Sequence, residues 1–270
     1  MNVGRIGAIV EKELRELRSN PSAVLPVAIL VTLCLTVPFL VLVVMPQVTG
    51  ESLSADPALR QIVEKTARSS PRLAALQMEA AVEAFMYQQF LLLFLVAPIV
   101  GAVSLAAYSV VGEKQGRTLE PLLATPLTTA ELLVAKVVAA FLPAIAIEAV
   151  GLLLYVLLVF LLASPGVPGA LVNARSIVLV GIVGPIGALA ALQMTIAISS
   201  RVNDPRSAQQ IAVLLVVPLV VMVIGQIAGA LVITVPILLV VAAVLAIVWV
   251  LLILLSMALF ERETILTRWK

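Results

Sequence analysis

The 270 residues are 62% hydrophobic and 12% charged, with a mean hydropathy of +1.19, against about 45–50% and about 25% in a soluble domain. No water-soluble fold could hide that much apolar surface. The net charge of +2 gives no basic face for nucleic acid. Cys34 is the single cysteine and histidine is absent, which excludes an intramolecular disulfide, a cysteine-rich or histidine metal site, and the commonest general base.

The first 20 residues carry charges throughout and lack the apolar core and small-residue cleavage site of a removable signal peptide, so insertion falls to the first span. Within them, Ile6, Ile9, Val10, Leu14 and Leu17 share one helical face, while Glu11 with Arg15 and Lys12 with Glu16 form i,i+4 pairs elsewhere. This reads as an amphipathic interface helix over 1–20.

Six apolar runs follow, at 23–44, 85–111, 137–163, 177–199, 208–231 and 236–260. Each is close to the roughly 20 residues that cross a ~30 Å hydrocarbon core, and each is continuously apolar, as a helix is and a barrel strand is not. The expected fold is therefore all-α and polytopic, one transmembrane domain of six helices. Between the first two runs, 47–82 forms an extracytoplasmic helical segment. There Asp56-Pro57 is an N-cap with proline at the first helical position, and Ser70-Pro71 starts a second helix. The last two runs form a hairpin, or 225–236 dips back into the bilayer. With a cytoplasmic amino terminus, only Arg60, Lys65, Arg68, Arg72 and Arg175 of the 17 basic residues fall outside. The positive-inside bias then places both termini in the cytoplasm of a cell inner or plasma membrane.

Residues 112–136 form the longest inner loop, GEKQGRTLEPLLATPLTTAELLVAK. Thr118 caps a short piece with Leu119, Leu122 and Leu123 on one face, and Thr125-Pro126 ends it. Thr128 or Thr129 then caps the helix that becomes the third span, with Glu131 in its first turn. The loop is a knob, apolar enough to dock and rooted in two spans at once.

This loop, together with an amphipathic amino-terminal helix before six spans, resembles the permeases of ABC-2 type transporters, including the sodium-exporter-like and nitrous-oxide-reductase-maturation branches. The resemblance implies the membrane subunit of a type V exporter, with a second permease copy as homodimer or homologous partner and a separate ABC ATPase subunit. It implies a coupling role for Glu113, Thr118, Leu119, Glu120, Leu122, Leu123 and Leu127, and a connecting helix carrying Glu11, Lys12 and Arg15. A P-loop needs Gly-Lys, and no such pair occurs in the sequence. Catalytic residues, metal and cofactor are therefore not expected in this chain, and ATP and Mg belong to the partner.

Glu148 lies near the middle of the third span, where a charge costs ~2.5–3.5 kcal/mol against lipid. It pins helices together, through Gln193 or Gln226, or it lines a translocation path with Tyr155 and Gln193. Gly181, Gly184, Gly187 and Ala188 read as close helix packing, and Asp204-Pro205-Arg206 as a tight inner turn. An intramembrane hydrolase is excluded by the absence of histidine and of aspartate in the spans. A secondary transporter and a membrane assembly or anchor subunit remain as alternatives, and composition does not fix the cargo.

Overall fold

The computed structural model describes residues 2–19, 21–50, 52–68, 70–116, 127–199, 202, 204–228 and 232–259. Among these there are helices and no strands. Five helices are long and apolar enough to cross a membrane: Ala23–Thr49, Met78–Glu113, Thr129–Leu162, Ala174–Ser199 and Val235–Leu259. Where a single span was expected over 208–231, the chain instead forms a pair, Pro205–Ala212 and Val217–Gln226, bent by 42°. The cause is local. Pro218 has no N–H to continue the ladder, and the chain crosses the gap in a 3-10 turn, Val213–Val216. The following helix starts at Val235, and residues 229–231 of the 225–236 stretch lie outside the described set.

The spans differ in how much of them other helices cover. The second is the axis, with 78% of its apolar window buried, whereas Val235–Leu259 has 11%. The fourth span, Ala174–Ser199, packs along the second and along Val235–Leu259, and the third packs along the second. Exposed Leu153 and Leu161 on Thr129–Leu162, and Val240, Ile247 and Leu254 on Val235–Leu259, are what a lipid-facing surface requires.

Two spans contain one widened turn each, Leu40–Val44 and Leu179–Val183. In each, the closing amide bonds five residues back, Met45 to Leu40 and Gly184 to Leu179. Proline follows at once, Pro46 and Pro185. A proline ring cannot accommodate the carbonyl four residues earlier, and the π turn moves that carbonyl aside without breaking the span.

The described residues of the 47–82 segment form a set of short helices. Asp56 accepts from the Ala58 amide at 2.8 Å and caps Pro57–Ala67. Pro71–Ala74 is a single turn, separated from the second span by Ala75–Gln77; a continuous entry from Ser70-Pro71 does not occur.

Candidate functional site

The amino-terminal helix, Val3–Ser19, lays its apolar face on protein. Ile9 is buried with Leu132 and Ala135 at the root of the third span, and Ile6, Val10 and Leu127 pack around them. That root is firmly capped. Thr128 accepts from the Glu131 amide at 3.2 Å, and Glu131 accepts in return from the Thr128 amide at 3.0 Å. The other Glu131 oxygen accepts from the Asn2 backbone amide at 2.7 Å, so one carboxylate ties the start of the chain to the start of the third span.

Beside this contact lies a buried charged joint. Lys136 projects from the third span with its side chain 1% exposed. Its ammonium donates to Glu13 at 2.9 Å and to Ser109 at 2.9 Å, and forms an ion pair with Glu113 at 2.7 Å. Ser109 donates to the second oxygen of Glu13 at 2.6 Å. The second oxygen of Glu113 takes Lys12 at 2.6 Å, and Lys12 also faces Glu16 at 3.3 Å. Two buried carboxylates and one buried ammonium are closed by a half-exposed second ammonium. The joint therefore ties the amino-terminal helix, the end of the second span and the root of the third.

Each shift outside the spans has a cause. Burial pushes the Glu13 carboxyl up, but the Lys136 charge, the hydrogen bonds from Ser109 and Lys136, and the Lys12 charge together hold it below the ordinary carboxylate value. For Lys12, burial pulls down, and the hydrogen bond and charge of Glu113, aided by Glu13 and Glu16, outweigh it and hold the ammonium above its ordinary value.

The expected site residues distribute as follows. Glu113 and Lys12 meet in the joint. Glu11 and Arg15 pair with each other on the exposed face. Leu127 packs against the amino-terminal helix. Thr118, Leu119, Glu120, Leu122 and Leu123 lie outside the described residues. Glu13, Ser109 and Lys136, which the sequence reading did not single out, are the centre of the arrangement.

Higher on the third span, Glu148 is 3% exposed, and its Oε1 has no hydrogen-bond partner among the described residues. Gln226 instead accepts from Arg175 at 2.6 Å, and Gln193 lines an apolar pocket of about 250 Å³ with Trp249, Leu133, Val137 and Met257. What Glu148 faces is Gly184, where an added Cβ would lie 3.8 Å from the carboxylate, immediately after the π turn of the fourth span. Tyr155 is fully buried. It donates to the Tyr87 carbonyl at 2.8 Å, within a ring cluster of Phe39, Tyr87, Phe94 and Tyr155 whose centroids lie 5.1–6.2 Å apart.

Buried charges thus bind the amino-terminal helix to both roots of the 112–136 loop. Residues 7–235 match the family model described as ABC-2 family transporter protein. The chain belongs to this family. It is thus a membrane permease component of an ABC transporter, and both the joint and Glu148 lie inside the matched range. No curated protein matched the sequence.

Proposed function

We propose that this ABC-2 permease is the transmembrane subunit of an exporter in the inner or plasma membrane, driven by a separate ABC ATPase that holds ATP and Mg. In this reading the bent pair counts as one of six spans, so both termini lie on one side, and the excess of Lys and Arg in the connections favours the cytoplasmic side for them and for the 112–136 loop. A second permease copy completes the path, and Glu148, whose Oε1 has no hydrogen-bond partner among the described residues, faces that path.

The observation that carries this reading is the Lys136 joint. A docking knob delivers work only if its two roots move together. Here the second-span root holds Ser109 and Glu113, the third-span root holds Lys136, and the amino-terminal helix supplies Lys12 and Glu13 between them. Separating any one of the three would leave a charge buried without its partner, at a cost of about 3–5 kcal/mol. Displacement of the knob by the ATPase therefore moves the three elements as one body. The Thr129–Leu162 helix is ~51 Å long at 1.5 Å per residue, against a ~30 Å hydrocarbon core, and it carries the movement past Glu148 to the Tyr155 ring cluster.

The test is replacement of Leu119 and Leu122 by glutamate. The variant is expected to insert and fold but to lose co-purification with the ATPase or stimulation of its hydrolysis. Retention of both properties would contradict docking through this loop.

A further inference from the structure

At the end of the bundle away from the joint lies a pocket of about 430 Å³, lined by Arg72, Arg175, Gln88, Asn173 and Thr234, with apolar wall from Leu73 and Ile233. Gln88 and Ser109 lie on the same span, separated by roughly 30 Å at 1.5 Å per residue. The volume is that of a small-ligand site, typically about 300–1,000 Å³. Its charge is one-sided, because no Asp or Glu lines it.

Both guanidiniums are held by neutral oxygens. Arg72 donates through one nitrogen, Nη1, to the Gly169 and Val172 carbonyls at 2.9 and 2.5 Å. Arg175 donates through Nη2 to the Gln226 amide oxygen at 2.6 Å. Among the described residues neither forms an ion pair. Nε and one terminal nitrogen of each arginine remain for a ligand. A guanidinium stays charged at any physiological pH, so the pocket keeps two positive charges with no protein counter-charge. The carbonyl contacts hold the two forks in place, which is what bidentate recognition of phosphate requires.

We infer that this pocket binds the phosphate-type headgroup of an anionic amphiphile through Arg72 and Arg175. The apolar wall and the membrane-spanning helices on which Gln88 and Arg175 stand give an attached acyl chain somewhere to lie. The inference needs only that the chain spans a membrane. It is independent of the docking loop, so a failure of that proposal leaves it untouched.

Native mass spectrometry of the purified full chain, titrated with phosphatidylglycerol, phosphatidylcholine and inorganic phosphate, tests it. Phosphatidylglycerol is expected to bind more tightly than phosphatidylcholine. Arg72→Gln and Arg175→Gln should each weaken it about tenfold or more, the scale of one lost charge-assisted contact. Arg68→Gln, an equal charge change in the same outer segment but outside the lining, should leave binding unchanged. If Arg175→Gln does not stay monodisperse, Arg72→Gln with Arg175→Lys carries the test, the lysine keeping charge but losing the fork. Unchanged binding in the pocket variants, or an equal loss in Arg68→Gln, would overturn the site. Displacement of phosphatidylglycerol by equimolar inorganic phosphate would overturn the lipid headgroup in favour of a free anion.

Discussion

Lys136 is the residue on which the arrangement turns, because its ammonium contacts Glu13, Ser109 and Glu113 at once. Lys136→Met would leave Glu13 and Glu113 buried, and it is expected to destabilise the protein by about 3–5 kcal/mol in detergent-solubilised unfolding. Arg15→Ala, which breaks an exposed pair, should cost under about 1 kcal/mol. The joint also has a signed pH dependence. Glu13 has a lowered value, so its contribution is present above the ordinary carboxylate range and is lost as pH falls through the folded value. Lys12 has a raised value, so its contribution is full below about 10.5, the ordinary lysine value, and is lost as pH rises beyond it. Hydrogen exchange of the 3–19 helix should therefore be slow across neutral pH and accelerate beyond the intrinsic rate change at both extremes. Loss of protection at neutral pH alone would contradict the ion network. A signal for this joint stands in the sequence. Glu13 lies four residues after Ile9 and four before Leu17, and Lys136 four after Leu132, each on an apolar stripe where a charge needs a partner. The i,i+4 pairs drew attention to the other face, and which distant charge answers a buried one depends on tertiary packing.

At the scale of elements, the small-residue spacing of the fourth span marks close packing at Gly184, Gly187 and Ala188, all buried, with a Cβ on Gly187 falling 3.2 Å from Ile99, but not at Gly181. A Cβ on Gly181 would meet nothing within 4 Å, whereas one on Gly151 would come within 2.4 Å of Val31 and one on Gly101 within 2.9 Å of Val27. The reason is the π turn at Leu179–Val183, which adds a residue to one turn and rotates what precedes it by about 100° relative to a regular helix. Spacing counted through such a turn loses its face. Gly151→Ala is expected to cost about 1–3 kcal/mol, because β-branched Val31 has little rotamer freedom to yield. Gly181→Ala should lose nothing. Equal thermal midpoints for the two variants would contradict the packing of the first span on the third. Helix ends were legible where a side chain makes the cap, as at Asp56 and Thr128. The bend near Pro218 was not, since hydropathy continues through it unchanged.

For the whole molecule, the helical membrane class follows from composition, and the ABC-2 family from one loop and the elements around it. The number of spans was less legible, because a bent pair and a straight span carry the same apolar residues. The joint holds the two roots of the 112–136 loop to each other and to the amino-terminal helix. Leu122, within that loop in the sequence, is where we propose that the ATPase docks. A photo-reactive amino acid at Leu122, activated in intact cells and followed by mass spectrometry of the adduct, tests this most directly. The account predicts a covalent adduct with a P-loop ATPase, and none from the same probe at Arg60. Adducts at Leu122 with lipid alone, or with an ATPase from Arg60 instead, would contradict it.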